Sequence, residues 1–290
     1  MGQVDLHVHT SVSDGRHTPE EIVRKAASVG LKYLAICDHD TVDGVAAAIE
    51  SAKSYPQLTV IPGVEMSTLA VGSEVHMLGY FVDYTDVSFK NILAEVSDSR
   101  IGRAQAMVEK LNEMGMKIEW SRVQELAGDG TIGRPHIANA MLEKGYVSTF
   151  KEAFDKYIAQ GGPAYIERSK ITPSEAVEII IKAGGLPVLA HPFTVNEPEE
   201  LIKELKEVGL VGMEVYYDNY SPDERKTLAK LAAKYNLIAA GGSDYHGIDD
   251  AVETLLGESE TPVEAAEKLI ALAGKNIRSC GNFIPDYRKL

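Results

Sequence analysis

Val4-Asp5-Leu6-His7-Val8-His9-Thr10 alternates apolar and polar side chains, so it reads as a short strand. Thr18-Pro19-Glu20-Glu21 follows it and reads as a helix start. Thr18 supplies the N-cap, Pro19 the first helical residue and Glu21 the capping-box partner. The helix should run to about Val29 and close at Gly30. Tyr33-Leu34-Ala35-Ile36-Cys37 is then a short apolar strand ending in Asp38-His39-Asp40. A helix near Val45 to Tyr55 and strands near Thr59 to Glu65 and Val75 to Val82 complete the first half.

The same alternation resumes downstream. Helices near Pro173 to Ala183, Pro198 to Val208 and Pro222 to Tyr235 separate three apolar runs. These are Leu186 to Ala190, ending in His191-Pro192, then Gly212 to Tyr216, then Leu237 to Ala240, ending in Gly242-Ser243-Asp244-Tyr245-His246. Strand, helix, strand at this spacing predicts right-handed crossovers and an α/β fold with a mostly parallel sheet or barrel. Between about Asp86 and Arg168 the period changes. Met107, Val108, Leu111 and Met114, then Ile137, Met141 and Leu142, then Phe150, Phe154 and Tyr157 recur at helical spacing. This stretch reads as a helical insertion domain, residues 86–168, between barrel segments 1–85 and 169–290.

Composition limits what the fold can serve. The 290 residues carry 29 Lys and Arg against 43 Asp and Glu, a net charge of −14. Such a field repels long polyanions and excludes a general coat for duplex nucleic acid or a basic membrane binder. A small phosphorylated substrate held by local cations is compatible with it. The two cysteines, Cys37 and Cys280, do not form a disulfide scaffold and suit a reducing cytoplasm. No apolar run has transmembrane length and no signal-peptide pattern opens the sequence, so a cytoplasmic location is expected.

The chemistry lies in where the histidines fall. Six of the eight, His7, His9, His39, His76, His191 and His246, sit on or just past expected strands. In a parallel barrel the strand carboxyl ends share one rim, so these residues should converge. His7 and His9 are two apart on a strand and point to the same face, a ready pair of metal ligands. Asp14, Asp38, Asp40, Glu65 and Asp244 accompany them. A single strand histidine is ordinarily a hydrogen-bonded core residue, and an Asp after a strand is ordinarily a turn former. So many polar groups on one rim would be costly without cations to neutralise them. The imidazole and carboxylate set suits zinc, manganese or iron. Cys37 lies inside an apolar strand and reads as core, and His17 as a surface residue before a helix cap.

At these residues the sequence resembles the PHP (polymerase and histidinol phosphatase) family of metal-dependent phosphoesterases. The matching motifs are Asp5-Leu6-His7-Val8-His9-Thr10, Cys37-Asp38-His39-Asp40-Thr41, Gly63-Val64-Glu65, Val75-His76-Met77-Leu78-Gly79-Tyr80, Ala190-His191-Pro192 and Gly242-Ser243-Asp244-Tyr245-His246. They span the chain in the family's order. The resemblance implies a distorted (β/α)7 barrel and up to three divalent ions, manganese, zinc or iron. It implies one ion on His7, His9, Glu65 and Asp244, a second on Glu65, His76 and His191, and a third on Asp14, His39 and His246. His191, His246 and Asp244 are the residues expected to act in catalysis. Gly133-Arg134-Pro135-His136 in the insertion resembles the subgroup that acts on nucleoside 3′,5′-bisphosphates and short RNA, with Arg134 and His136 as substrate contacts.

The expected reaction is phosphate ester hydrolysis, with water ionised by the metals as nucleophile. Three divalent ions would outweigh Asp14, Glu65 and Asp244 and make the site locally positive inside an acidic chain. Arg100, Arg103 and Lys170 are further candidates for phosphate contacts, and Tyr80, Phe193 and Tyr216 for base stacking or core packing. The expected partner is a small nucleotide or short oligoribonucleotide. The competing readings are a phosphatase of a non-nucleotide such as histidinol phosphate, a non-catalytic metal-binding module on the same barrel, and C–N hydrolysis as in amidohydrolases. The last would want a carboxylated lysine bridge where this chain offers Glu65.

Overall fold

The computed structural model describes residues 2–70, 73–128, 132–166, 171–195, 197–217, 220–248 and 254–280. Seven strands pair in sequence order: β1 (Val4–Val8), β2 (Tyr33–Ile36), β3 (Thr59–Ala70), β4 (Ser73–Tyr80), β5 (Leu186–Leu189), β6 (Gly212–Tyr217) and β7 (Ile238–Gly242). The ring nearly closes where β7 returns to β1. The Asp244 N–H donates to the His7 carbonyl at 2.9 Å, and the His9 N–H to the Tyr245 carbonyl at 3.0 Å. Gly242 permits this approach, because a Cβ there would land on the His7 backbone nitrogen.

Helices α1 (Pro19–Ser28) and α2 (Val45–Ala52) connect the first strands. The Thr18–Glu21 capping box forms as the sequence predicts, and Val29 is the C-cap. The insertion holds α3 (Val87–Glu113), α4 (Trp120–Ala127), α5 (Arg134–Glu143) and α6 (Phe150–Ala153), the last running into a π-turn at Phe154–Ile158. Then α7 (Pro173–Lys182), α8 (Pro198–Val208) and α9 (Pro222–Lys234) return the chain through the second half, and α10 (Val263–Cys280) ends the described part.

The sheet is mostly parallel, as the alternation predicts, with one strand reversed. Strand β4 runs antiparallel to both β3 and β5, while the other four pairings are parallel. Two residues separate β3 from β4, too few for a crossover, so the chain must turn back. Helix α10 was not anticipated. Its Ala266, Leu269 and Ala273 join the barrel's interior cluster with Val4, Leu6, Leu78 and Val188.

A bulge positions the first histidines. Register slips between Asp5 and Val8. Val4 and Leu6 belong to the interior cluster, but Val8 packs in the outer layer with Ile22 and Val23 of α1. The slip therefore changes which alternation faces inward, and His7 and His9 rise over an apolar floor. The insertion has its own core around Met107, Leu111, Ile137 and Met141. Helix α3 bridges the two regions, since its first half places Phe89 and Leu93 in the layer packed on the barrel.

Candidate metal centre

Glu65, almost fully buried on β3, is the hub of the rim. Its Oε1 lies 2.8 Å from His76 Nδ1 and 3.1 Å from His191 Nε2. Its Oε2 lies 3.3 Å from both His7 Nε2 and His9 Nε2, and 3.1 Å from His39 Nδ1. Asp244 Oδ1 faces the same first pair, 3.3 Å from His7 and 3.1 Å from His9. Asp14 completes the ring. Its Oδ1 lies 3.5 Å from His9 Nδ1 and 3.4 Å from His246 Nε2, and its Oδ2 is 3.6 Å from His39 Nε2. All nine residues that the motifs single out as ligands thus share one rim.

Backbone geometry aims them. His191 and Asp244, just past β5 and β7, have φ of 25° and 55°, and Asp40 past β2 has 53°. Non-glycine residues hold this left-handed region at a cost of about 1–3 kcal/mol, which functional sites commonly carry. Asp38 and Asp40 do not join the cluster. Asp38 accepts from the Thr10 N–H, Thr10 Oγ1 and Ser13 Oγ, each at 2.7 Å, and so fixes the loop carrying Asp14. Asp40 accepts from the Ser67 N–H at 2.9 Å and its hydroxyl at 3.0 Å, beside Glu65.

A second carboxylate stands behind the first, and sequence reasoning missed it. Glu214 on β6 is fully buried. One oxygen lies 3.1 Å from His7 Nδ1, and the other accepts the His191 N–H at 2.7 Å. Its signal was a charged residue in the middle of the apolar strand Gly212-Met213-Glu214-Val215. Tyr217 also reaches the rim, donating its hydroxyl to Asp244 Oδ2 at 3.0 Å.

The electrostatics follow from this crowding. Burial alone would depress the imidazole pKa values, but facing carboxylates overcome it. His76 is raised to about 9 by Glu65 and Glu74, and His246 to about 10 by Asp14 and Asp244. His7 is held well above its usual value by Asp244, Glu65 and Glu214. Burial pushes Glu65, Asp14 and Asp244 upward, yet their histidines draw all three well below the usual carboxylate range. The rim therefore holds ionised carboxylates and basic ring nitrogens ready to exchange protons for cations.

The residues fit divalent ions. His7 Nε2, both ring nitrogens of His9 and Glu65 Oε2 are buried without a hydrogen-bond partner. Three groups keep their ligand atoms within 4.8 Å of one another: His7, His9, Glu65 and Asp244; His9, Asp14, His39 and His246; and His39, Glu65 and His76. Nitrogen and oxygen ligands about 2.0–2.2 Å from one ion need that compactness. His9 and His39 each enter two groups, which the motifs alone did not suggest.

The insertion supplies cations to one side. A cavity of about 160 Å³ is lined by Asp14, His39, His76 and His246 on the barrel and by Arg103, Arg134 and Phe154 on the insertion. Glu74 binds both arginines, Arg134 Nη2 at 2.8 Å and Arg103 Nη1 at 3.5 Å. One carboxylate thus faces two guanidinium groups, and Arg103 Nη2 stays buried without a partner. Arg134 also lies over the Phe154 ring, 5.6 Å from its centre.

Other expected residues are placed differently. His136 lines a separate cleft, and its Nδ1 accepts the Gly133 N–H at 3.0 Å, so it caps its own helix start. Tyr80 is core, fully buried and donating its hydroxyl to the Leu6 carbonyl at 2.9 Å. Phe193 packs edge-on against Tyr220, and Tyr216 against the outer apolar layer. Cys37 is buried as expected, and burial pushes its thiol pKa up. His17 is half-buried rather than a plain surface residue, stacked parallel to Tyr245 at 6.2 Å. Lys170 and the Arg100 side chain lie outside the described residues. Among the described residues no helix is long and apolar enough to cross a membrane.

Known proteins resemble this chain over most of its length. The PHP domain profile matches residues 5–275. The chain is 37% identical to 5'-3' exoribonuclease Rnm of Escherichia coli (strain K12) over 247 residues, 83% of this chain and 84% of the relative. It is 30% identical to a phosphoribosyl 1,2-cyclic phosphate 1,2-diphosphodiesterase of Eggerthella lenta over 247 residues, covering 84% and 94%. It is also 30% identical to a 3',5'-nucleoside bisphosphate phosphatase of Chromobacterium violaceum over 256 residues, covering 85% and 88%. A solved structure from Bifidobacterium adolescentis, provisionally described as a metal-dependent phosphoesterase, superposes with a TM-score of 0.83 at 30% identity, covering 92% of this chain and 95% of that one.

Proposed function

The chain belongs to the PHP domain family and is a metal-dependent phosphoesterase, and we propose that it breaks the phosphate ester at O3′ of a nucleotide already carrying a 5′-phosphate. Its substrates would be a nucleoside 3′,5′-bisphosphate and the 5′ end of a short oligoribonucleotide. The observation that carries this is the buried, unpartnered Nη2 of Arg103, set with Arg134 across a small cavity from His39, His76 and His246. A buried guanidinium donor needs an acceptor, and two guanidinium groups against one Glu74 leave charge for a phosphate. The relatives named for bisphosphate phosphatase and 5'-3' exoribonuclease activity support the same substrate class.

Divalent ions would be held by His7, His9, Glu65 and Asp244, by Glu65 with His76 and His191, and by Asp14, His39 and His246 with His9 in reach. When bound they supply an ionised water and offset the charge on the phosphoryl oxygens. The rest falls to the chain. Arg103 and Arg134 orient the substrate through its 5′-phosphate, and Phe154 offers the adjoining apolar wall. Of His191 and His246, at the edge of the rim, the one not engaged by an ion would return a proton to the departing O3′, and Asp244 would keep His7 and His9 in line. The insertion, residues 86–168, acts in this reading as the substrate-binding half of the site.

The test is product release by manganese-loaded protein from adenosine 3′,5′-bisphosphate, adenosine 3′-monophosphate, histidinol phosphate and a 5′-phosphorylated RNA trimer. Preference for the bisphosphate over the 3′-monophosphate is expected, lost in Arg103→Ala. Equal turnover of the two nucleotides, or turnover of histidinol phosphate alone, would overturn the reading.

A further inference from the structure

Two cavities meet at Asp14. One is the small cavity beside Arg103 and Arg134. The other is an open cleft of about 800 Å³ between the loop after β1 and helices α4 and α5, and Asp14 and Pro135 line both. Arg16 lies on its barrel wall, exposed, and among the described residues no carboxylate lies within ion-pair distance of it. The two glutamates opposite, Glu125 and Glu143, are both engaged by Arg122, with contacts of 2.8 Å. Their charge is offset from outside the cleft, while that of Arg16 is not.

We propose that this cleft receives the part of an oligoribonucleotide beyond the scissile phosphate, with Arg16 on the next phosphate along. The inference rests on the proposed function. In both proposed substrates water adds to phosphorus, the P–O3′ bond breaks, and O3′ takes a proton and leaves as the hydroxyl of a 5′-nucleotide. In the bisphosphate the phosphoryl group departs as inorganic phosphate. In a chain it stays on O5′ of the following nucleoside, so the remaining strand extends from the phosphoryl side, away from the leaving nucleoside.

The leaving nucleoside takes the cavity of Arg103 and Arg134. Asp14, a member of the cluster, is shared with the larger cleft, which is where the strand can continue. Its volume suits nucleotide-sized ligands, and a guanidinium offers a phosphate a two-pronged contact. A third cavity, of about 330 Å³ between the loop after β2 and α3, does not compete. Its acidic lining is Asp40, Asp43 and Asp98, and its Lys90 is tied to Asp43 at 2.9 Å.

The experiment compares wild type, Arg16→Ala and Arg16→Lys on adenosine 3′,5′-bisphosphate, a 5′-phosphorylated dimer and a 5′-phosphorylated trimer, with manganese-loaded full-length protein. Only the trimer has a phosphate beyond the scissile one. Arg16→Ala should raise the KM for the trimer about tenfold, the size of one lost charge-assisted contact. The dimer and bisphosphate should be unchanged, and Arg16→Lys should recover most of the trimer effect. Equal changes on all three substrates, or none on the trimer, would overturn the subsite alone. A wild type inactive on every one of them would overturn the proposed function instead.

Discussion

The barrel rim and the helical insertion bury polar groups by opposite rules. In the insertion, among the described residues, the buried side-chain donors and acceptors have partners with one exception. Asn112 donates to the Ile118 carbonyl and accepts its N–H, both at 2.9 Å, and Lys110 donates to the Tyr165 carbonyl at 3.2 Å. Its core of Met107, Leu111, Ile137 and Met141 is apolar throughout. At the rim, six imidazoles and three carboxylates crowd together, and ring nitrogens of His7 and His9 have no hydrogen-bond partner. Proteins rarely leave such groups unsatisfied except where a ligand or ion completes them. The insertion's own exception, Arg103 Nη2, lies where the two regions meet over one cavity. Departure from local pairing therefore marks the site more sharply than cavity size does, since the larger cavities lie to either side of it.

The contrast can be broken by mutation. Glu65→Ala removes the contact shared by five histidines and should lower turnover on the order of a thousandfold, comparable with losing a principal transition-state stabiliser. The fold should survive, because the histidines left without Glu65 can give up their protons and stay buried as neutral rings. Retained turnover in steady-state assays would show that the rim is not the reaction centre. Leu111→Ala acts on the other region. It should destabilise the protein by about 2–5 kcal/mol in denaturant unfolding, and manganese affinity should be unchanged; a joint loss would mean that the insertion core also shapes the rim.

A subtler probe is Glu214→Gln. It keeps the shape behind His7 and His191 but removes the charge. Manganese affinity in equilibrium titration should weaken about 10–100-fold, as for other carboxylates that orient a histidine ligand. Unchanged affinity would reduce Glu214 to strand packing.

The smallest effect is a pH dependence. His76 and His246 have folded-state pKa values raised to about 9 and about 10. Their contribution to stability is present below the unfolded value of about 6.5 and lost as pH rises through the folded values. The melting temperature of metal-free protein should therefore fall between pH 7 and 10, and manganese should flatten the fall by taking the protons' place. Parallel slopes with and without manganese would argue that these two histidines do not meet the ions.

Most of the rim was legible because its chemistry is written in short motifs at strand ends. His7 and His9 share a face by the two-residue repeat, and His191 and Asp244 follow apolar runs, whereas Glu65, expected at a strand end, lies in the middle of β3, which continues to Ala70. The Thr18–Glu21 cap and the Pro198–Val208 helix were readable for the same local reasons. Strand direction was not, since alternation is identical in parallel and antiparallel pairs and only the short connection before β4 betrays it. Helix α10 was hidden because much of its buried face is alanine. Glu214 was hidden because it acts through His7 and His191, which lie far from it in sequence. His136 lines the larger cleft rather than the cavity of Arg134, with its Nδ1 accepting from the backbone three residues earlier.

The most direct test is a manganese titration of chelator-stripped protein followed by calorimetry, with Glu65→Ala alongside. The wild type should bind more than one ion and release protons on binding, and the variant should lose that binding. Wild-type protein that binds no manganese, or a Glu65→Ala variant that binds it equally well, would contradict a metal centre built on Glu65.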